Sequence, residues 1–330
     1  MSTMHRASKV RIRAVVAAAA MLLAATVSAS AQADFPNRPI RIVVPLPPGA
    51  TADTLPRIIG EKLTAKWGQP VIIENRPGAA QNLGAEAVAR AAPDGYTLLA
   101  TPQGPLTVSA SMFAKLNFDP AAFVPVTVMA QLPYVLVVNP KVPLASFPEM
   151  IAYAKANPGK LNYGSPGSGS STHLSMEWLA TLAGIKLTHV PYKGAAPALT
   201  DLVAGHIEMM FDNLGNPLQH VRDGRLRALA VASETRIAEL PDVPAIAETF
   251  PGFVSTSWFA IVAPPRTPAD IVAKLQAAIA EALRMPDVVA KLQQMPAKPV
   301  GSTPEATATL IREETERWRK IIAAAGIKPE

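Results

Sequence analysis

The stretch "LNYGSPGSGSSTHLSMEWL", residues 161–179, places a loop of glycine and serine between a short apolar run and an amphipathic helical run. The stretch "IRIVVPLPPGATADTLPRII", residues 40–59, has the same order of strand, glycine-containing turn and helix. Each loop is expected to present backbone N–H groups at a helix start, where those groups and the helix dipole attract anions. The two stretches predict an α/β protein with an anion site.

Apolar runs of strand length alternate with amphipathic helical runs over the rest of the chain. Strands are predicted over residues 40–44, 71–74, 96–100, 134–138, 186–190, 207–211, 226–232 and 257–263. Helices are predicted over residues 54–67, 82–91, 147–156, 172–183, 196–204, 215–223, 268–284 and 304–325. This alternation is typical of an α/β fold with largely parallel sheets.

Three of the predicted helix starts carry capping residues. Thr267 and Thr303 each precede a proline, which predicts a threonine cap with proline at the first helical position. Ser146 with Glu149 fits a capping box, in which each side chain bonds the backbone of the other residue.

Two predicted strands are flanked by proline, in "LPYVLVVNP" and "SWFAIVAPPRTP". A chain that crosses between two α/β lobes and later returns has this pattern. We therefore expect a discontinuous first lobe of residues 34–132 plus 259–330 and a second lobe of residues 133–258. The cleft between such lobes, at the carboxyl ends of strands, is a usual ligand site.

Residues 1–33 are typical of a secretory signal peptide. Four basic residues, Arg6, Lys9, Arg11 and Arg13, precede an apolar run at 14–27, and "SASAQAD" has the small residues of a cleavage site. We predict cleavage after Ala33, with cleavage after Ala31 as the alternative, and a periplasmic location. The apolar run is shorter than the roughly 20 residues of a membrane-spanning helix.

Charge and cysteine content exclude several classes of function. Residues 1–33 hold four basic and no acidic side chains, so their removal lowers the formal net charge from +6 to +2. No basic cluster remains that would predict nucleic-acid binding. The chain has no cysteine, which excludes disulfides, thiolate metal sites and cysteine catalysis. We see no metal-ligand spacing among the histidines and expect no cofactor.

Three known motifs are incomplete in the serine-rich loop. A phosphate loop requires lysine after its second glycine, where Ser170 follows Gly169. A dinucleotide loop requires a third glycine at the position of Thr172. A hydrolase elbow requires G-x-S-x-G, which no serine of the loop satisfies.

His173 belongs to the first predicted helical turn after this loop. A structural role with local backbone hydrogen bonds is the first interpretation, ligand contact the second, and catalysis with Ser168 or Ser170 the third. Asp53 is expected to interact with the dipole of its own helix, and contact with ligand or solvent is the alternative. Asp212 follows an apolar strand, and a site-lining role and ordinary turn chemistry explain it equally well.

Seven ordered blocks run through the chain after residue 33. They are "RPIRIVVPLPPGATAD", "ENRPGAAQNLGAEAVARAAPDGYTLL", "LNFDPAAFVPV", "YGSPGSGSSTHL", "THVPYKGAAPALTDLVAGHIEMMFDN", "GRLRALAVAS" and "SWFAIVAPPRTP". In these blocks the chain resembles the Bug/TctC family, the periplasmic solute-binding proteins related to tripartite tricarboxylate transporters. The resemblance covers nearly the whole chain after the predicted signal peptide.

The resemblance implies a two-lobe, Venus-flytrap fold, each lobe a mostly parallel sheet flanked by helices, with a small organic acid between the lobes. It implies that the loop 47–53 holds one ligand carboxylate, partly through ordered waters. It also implies contributions from the loop 164–173, from the region 192–196 and from Asp212. The residues expected to bind the ligand are Pro48, Gly49, Ala50, Thr51, Asp53, Gly167, Ser168, Gly169, Ser170, Ser171, Thr172, His173, Tyr192, Gly194, Ala195 and Asp212.

The chain departs from the family pattern at three places. Ala50 stands in a position that is commonly glycine, Gln81 lies in a stretch that is often glycine-rich, and Pro166 replaces a small, flexible residue. A methyl group beside one loop and a missing N–H in the other affect ligand choice. They are compatible with a different acid or with an amide-bearing ligand such as nicotinamide.

We expect a monomeric binding protein, not an enzyme, that carries a small mono- or dicarboxylate or a related polar solute to membrane permease subunits. A loaded protein that contacts a sensor is the alternative within the same class. An exported serine hydrolase that uses Ser170 or Ser168 with His173 is the alternative from another class.

Overall fold

The computed structural model describes residues 35–49 and 51–327, which form ten strands and ten α-helices. The predicted signal peptide and Ala50 lie outside these residues. The strands are β1 (Ile40–Val44), β2 (Val71–Asn75), β3 (Thr97–Pro102), β4 (Val124–Val138), β5 (Asn162–Ser165), β6 (Thr188–Pro191), β7 (Met209–Asn213), β8 (Arg227–Val231), β9 (Thr256–Ala263) and β10 (Lys298–Pro299).

The helices lie between and after these strands. They are α1 (Thr51–Trp67), α2 (Asn82–Ala89), α3 (Ser109–Met112), α4 (Phe147–Ala156), α5 (Ser171–Ala183), α6 (Ala195–Ala204), α7 (Leu218–Arg222), α8 (Ala269–Leu283), α9 (Pro286–Gln294) and α10 (Pro304–Ala324). In the described part of the chain, no helix is both long and apolar enough to cross a membrane.

The strands follow one path, in the order β2-β1-β3-β9-β4-β7-β5-β6, and β8 and β10 also pair with β4. Strand β1 is parallel to β2 and β3, and β5 is parallel to β6 and β7. In contrast, β4 and β9 run antiparallel to their neighbours. The expected parallel arrangement therefore describes the outer strands of each half, whereas β9 and β4 in the middle are antiparallel to each other and to the strands beside them.

Strand β4 connects the two halves of the sheet. It pairs with β9 as far as Pro133, opposite Thr256, and from Tyr134 onward it pairs with β7. Pro125 lies at a register shift and Pro133 at the change of partner, which are positions where a strand tolerates a missing N–H. The sequence predicts only residues 134–138 of this strand because a proline argues against a central strand.

Each half of the sheet packs against its own apolar side chains. In the first half, Ile42, Leu55 and Ile279 are fully buried between the sheet and helices α1 and α8. In the second half, Phe147 and Met176 are buried against the sheet from helices α4 and α5. These cores hold β1 with α1 and β5 with α5, and so fix the two loops that connect each strand to its helix.

Helix α10 packs against α5 at the side of the molecule. The rings of Trp318 and Trp178 meet edge to face with centroids 6.5 Å apart. The guanidinium of Arg317 lies 5.1 Å from the centre of the Trp178 ring. The C-terminal helix therefore contacts the helix that follows the serine-rich loop.

Four elements lie outside the predicted strand and helix ranges: strands β5 and β10 and helices α3 and α9. Strand β5 is implied by the order of strand, loop and helix in residues 161–179 but received no predicted range, because "NYGS" is short and contains glycine, both of which weaken a strand pattern. Helix α9 is missed because Pro286 begins a new helix directly after α8, as proline at a first helical position can, instead of marking a loop.

The predicted caps are only partly correct. Thr303 accepts the N–H of Ala306 and caps α10 as predicted. The prediction for Thr267 is wrong, because its hydroxyl donates to the Pro264 carbonyl at 2.8 Å and α8 begins two residues later.

The predicted capping box is half formed. Ser146 accepts the N–H of Glu149 and caps α4. The Glu149 carboxylate instead accepts the N–H of Ala145 at 2.9 Å, so the second bond of the box goes to the neighbouring residue.

Candidate functional site

A cleft of about 770 Å³ lies at the carboxyl ends of β1, β3, β5 and β7, and both halves of the sheet supply its walls. The predicted binding residues that line it are Gly49, Thr51, Gly167, Ser168, Gly169, Ser170, Ser171, Thr172, Ala195 and Asp212. Those that lie outside its lining are Pro48, Asp53, His173, Tyr192 and Gly194. The predicted contact of Ala50 falls outside the described residues.

Asp53 fixes the loop that follows β1. Its carboxylate accepts the N–H of Gly49 at 3.0 Å, an Arg57 N–H at 2.8 Å and the Asn75 amide at 2.8 Å. Burial would raise the pKa of Asp53, but the bonds from Arg57, Gly49 and Asn75 outweigh it and hold the pKa at about 2. Asp53 is 3% exposed, so its carboxylate acts on the loop from behind the cleft.

The serine-rich loop after β5 uses most of its backbone N–H groups internally. Gly167 donates to Ser165 Oγ at 3.2 Å, and Gly169 donates to His173 Nδ1 at 3.0 Å. The prediction of free N–H groups is therefore wrong at these two glycines. Ser171 and Thr172 begin helix α5, so their N–H groups precede its first intrahelical bond, and both residues line the cleft.

His173 holds this loop in place. Its ring stacks on the ring of His189 with centroids 3.9 Å apart. Burial lowers the pKa of both histidines, with His189 adding to the effect on His173, to about 3 for His173 and about 4 for His189. Both rings are therefore neutral at neutral pH, and His173 can accept the N–H of Gly169 at Nδ1 because that nitrogen carries no proton.

The geometry does not fit a serine hydrolase. The Ser170 hydroxyl accepts the backbone N–H of His173 at 3.4 Å, so it caps α5 and does not contact the imidazole. Ser165 does pair with His189 Nε2 at 2.6 Å, but Ser165 is completely buried and out of reach of a substrate.

Tyr192 and Gly194 support the serine-rich loop from the neighbouring strand. The Tyr192 hydroxyl donates to Asp201 at 2.8 Å, pointing toward helix α6. The Gly194 N–H donates to the Pro166 carbonyl at 3.2 Å. Ala195, the first residue of α6, is the member of this region that lines the cleft.

Asp212 lies near the end of β7 and is 1% exposed. Its Oδ1 accepts the N–H of Asn213 at 2.8 Å and the amide of Asn216 at 3.0 Å. Its Oδ2 has no partner within the protein. Burial raises the pKa of Asp212 to about 7 against the opposing effect of the two hydrogen bonds.

Several lining residues were missed by the sequence analysis. Gln103 directly follows β3, Tyr134 belongs to β4 and Ser257 to β9. A polar residue after an apolar strand is the signal that pointed to Asp212, and the same signal was available for Gln103. Tyr134 and Ser257 carry no such signal, because their place depends on how β4 pairs with β7 and β9.

Five side chains of the cleft lining carry a buried polar atom without a partner in the protein. These atoms are Gln81 Oε1, Gln103 Nε2, Thr172 Oγ1, Asp212 Oδ2 and Asn213 Oδ1. The Gln103 oxygen accepts the N–H of Trp258 at 3.3 Å, which fixes the unpartnered nitrogen as a donor. Buried polar atoms are normally paired, so these are the groups that a polar ligand would satisfy.

The loop that carries Gln81 has a backbone that favours glycine. Ala79, Ala80 and Gln81 have φ values of +47°, +48° and +78°. Left-handed conformations cost free energy for residues with a Cβ. Ala80 and Gln81 line the cleft, so the strained backbone lies where the Gln81 amide is positioned beside the site.

The cleft contains no cationic side chain among the described residues, and Asp212 is its one carboxyl group. Its apolar surface comes from side chains such as Met112, Phe113 and Phe259. A ligand held here meets neutral donors at its polar groups and apolar contacts between them.

The family model described as tripartite tricarboxylate transporter family receptor matches residues 55–327. An R. palustris protein solved with adipate is 37% identical, with a TM-score of 0.79 over 90% of this chain and 100% of that one. The periplasmic binding protein BugD is 30% identical, with a TM-score of 0.75 over 90% and 100%. MatC from Rhodopseudomonas palustris, solved with malate, is 35% identical, with a TM-score of 0.74 over 87% and 100%.

Proposed function

Since this chain belongs to the tripartite tricarboxylate transporter receptor family, we propose that it captures a small organic acid between two lobes and delivers it to membrane permease subunits. The members of this family are periplasmic solute-binding proteins and not enzymes. The α/β, two-lobe fold matches that of its structural neighbours. The proposed lobes are residues 34–132 plus 259–330 and residues 133–258. Residues 1–33 act as the export signal in this proposal, with cleavage after Ala33, and the mature protein acts as a monomer.

One observation carries the proposal. The helix starts of α1 and α5 meet in one cleft that has neutral hydrogen-bond donors and, among the described residues, no lysine, arginine or histidine in its lining. Helix N-termini favour a carboxylate without the need for a cationic side chain. The Thr51 and Ser171–Thr172 ends of these helices are the proposed carboxylate contacts.

The ligand class follows from the neighbours and from the cleft. Two neighbours were solved with adipate and with malate. Here the cleft adds the amides of Gln81 and Gln103, and it has room for an apolar linker beside Met112 and Phe259. We propose a mono- or dicarboxylate, or a related acid with an amide group, as the ligand.

A thermal-shift screen with acetate, succinate, malate, adipate and nicotinate tests the capture of an acid. A bound acid at 100 times its Kd stabilises the folded protein by roughly 2.7 kcal/mol. A screen in which none of the acids raises the melting temperature contradicts the proposal.

A pair of threonine variants tests the position of the site. Thr172→Val removes the unpartnered hydroxyl of the cleft, and loss of one hydrogen bond to a charged ligand should weaken binding about 10- to 150-fold. Thr181→Val makes the same change on the exposed side of the same helix and should bind normally. Equal affinity of the two variants would place the site elsewhere.

Delivery is tested by reconstitution with permease subunits. Uptake of the acid that depends on this protein supports transport. Tight binding without uptake would favour the alternative, in which the loaded protein contacts a sensor.

A further inference from the structure

The two oxygens of the Asp212 carboxyl group have different surroundings. Oδ1 accepts two N–H groups, from the Asn213 backbone at 2.8 Å and the Asn216 amide at 3.0 Å. Oδ2 is buried and has no hydrogen-bond partner within the protein. Since Oδ1 is already engaged as an acceptor, a proton on this group belongs on Oδ2.

The surroundings of Asp212 disfavour a negative charge. No cationic side chain lines the cleft in the described residues, so a second anion there would meet an uncompensated carboxylate. Burial, outweighing its two hydrogen bonds, raises the pKa of Asp212 to about 7, well above that of an exposed aspartate. An organic acid that enters the cleft adds further negative charge and favours the protonated form.

We propose that Asp212 holds a proton when the acid is bound and donates a hydrogen bond from Oδ2 to the ligand carboxylate, so that anion capture above neutral pH takes up one proton. This inference rests on the proposed function. Asp212 thus acts as a neutral hydrogen-bond donor, whereas an aspartate is ordinarily an anionic acceptor at neutral pH.

The other titratable groups around Asp212 do not supply a positive charge that would stabilise its ionised form. On the adjacent strand β4, Tyr134 is hydrogen-bonded to Ser171 at 2.7 Å, and burial above all raises its pKa to about 12. On strand β5, burial and the bond to Glu177 keep Tyr163 neutral by raising its pKa. Both phenols therefore stay uncharged over the range in which Asp212 titrates.

The helices beside this half of the sheet bring further titratable groups. On α5, His173 is neutral because burial lowers its pKa to about 3, and Glu177 is bound to the Tyr163 hydroxyl. On α6, Asp201 is bound to Tyr192 and His206 at the surface. Glu314 of α10 acts on Tyr134, where its charge raises the pKa of the phenol, and Arg317 pairs with Glu314. None of these groups supplies a cation to the Asp212 carboxyl.

The opposite role for Asp212 has the opposite pH dependence. An ionised Asp212 would accept from an ammonium or another donor on the ligand, and affinity would rise as pH rises through neutrality. A neutral donor requires affinity to fall over the same range. The sign of the pH effect therefore separates the two roles.

Calorimetric titration of malate and adipate at pH 6 and pH 9 tests the proposal, because both acids are ionised at each pH. With the Asp212 pKa at about 7 in the free protein, the wild-type Kd should be roughly 90-fold higher at pH 9 than at pH 6. Titrations in two buffers of different ionisation enthalpy should show uptake of nearly one proton at pH 9 and little at pH 6.

Asp212→Asn is the decisive variant. Its side chain can keep the two bonds to the oxygen and present an N–H where the proposed Oδ2–H lies. It should lose the pH dependence and bind more tightly than wild type at pH 9. Asp223→Asn makes the same change at an exposed carboxylate bound to Arg225 and should retain the wild-type pH dependence.

The outcomes distinguish this inference from the proposed function. Binding of malate or adipate with a Kd that is flat or decreases with pH overturns the donor role alone. An Asp212→Asn protein that folds but binds more weakly than wild type at pH 9 also overturns it. If neither acid, nor any other acid of the thermal-shift panel, binds at either pH, the proposed function and this inference fall together.

Discussion

Gly169 and Met112 approach so closely across the cleft that a Cβ added to Gly169 would lie 2.7 Å from Met112 Cε. Gly169 belongs to the loop after β5, whereas Met112 ends the short helix that follows β3, so the contact joins the two halves of the sheet. Gly169 also has φ +75°, a conformation that favours glycine. The absence of a side chain at this position thus allows both the turn and the close approach.

Gly169→Ala should weaken ligand binding by about 10-fold or more, because the added methyl group pushes the two sides of the cleft apart. A tenfold rise in Kd corresponds to a loss of only about 1.4 kcal/mol of binding free energy. Isothermal calorimetry with an acid from the thermal-shift screen measures the effect. Gly184→Ala is the matched control, since Gly184 has φ +63° and open space around a built Cβ. Gly169→Ala should lose more stability than Gly184→Ala, because it adds the approach to Met112 to the strain at positive φ that both share, and equal Kd values for the two would show that the contact with Met112 is irrelevant to binding.

Removal of the side-chain caps of two helices should lower the stability of both variants but weaken ligand binding in only one of them. Ser170→Ala and Thr303→Ala each delete a side-chain cap, at the starts of α5 and α10. Each should lower the free energy of unfolding by about 1 kcal/mol. Only Ser170→Ala should also weaken acid binding, because α5 begins in the cleft. Urea unfolding with calorimetry on both variants checks this, and normal binding by Ser170→Ala would mean that the start of α5 does not hold the ligand.

The parts of the fold that depend on local pattern were predictable from the sequence. Helix α4 has the predicted bounds, and β1 and β9 are within one residue of them, because strong periodicity and caps define each locally. Strand β4 was predicted at a third of its length, since Pro125 and Pro133 are tolerated only because of where β9 and β7 pair with it. Such pairing is long-range information that a local pattern lacks.

The candidate site shows the same division. The two loops after β1 and β5 were placed from their glycines and the helices that follow, and both line the cleft. Their internal hydrogen bonds were predictable only in part, since local backbone hydrogen bonds were the first interpretation of His173 but its partner was not identified. Asn75 reaches Asp53 from the next strand, and His173 accepts the N–H of Gly169 from one helical turn away. Asp53 and His173, which are among the residues expected to bind the ligand, therefore hold the two loops in place.

Ligand binding should rotate the two proposed lobes about the segments 132–134 and 257–259. These segments lie side by side, with Leu132 opposite Ser257 in the sheet, at the point where β4 changes partner. Hinges of this kind absorb rotation in a few residues at element ends. Small-angle X-ray scattering with and without a bound acid should show a smaller radius of gyration for the complex. The Thr172→Val variant at the same acid concentration serves as the unliganded control, and identical profiles for free and saturated wild type would argue against closure.

The histidine pair should make the protein less stable in acid. The folded-state pKa values of His173 and His189 are lowered to about 3 and about 4. An unfolded histidine has a pKa of about 6.5, so between roughly pH 6.5 and 4 the unfolded chain binds protons that the folded protein does not. Stability is therefore lost as pH falls through this window, and each histidine contributes a slope of about 1.4 kcal/mol per pH unit near pH 5.

Asp212 acts in the opposite direction over much of the same window. Its pKa is raised to about 7 in the folded protein, so near pH 5 the folded state holds a proton that the unfolded state has released. His189→Gln should therefore flatten the plot of unfolding free energy against pH, and Asp212→Asn should steepen it, each by about 1.4 kcal/mol per pH unit near pH 5. His206→Gln is the control, because His206 is exposed at the surface beside Asp201. Urea unfolding from pH 4.5 to pH 6.5 measures the slopes. Parallel curves for wild type, His189→Gln and Asp212→Asn would mean that the buried groups do not titrate as their surroundings require, whereas slopes that diverge in opposite directions assign the acid sensitivity to the histidine stack.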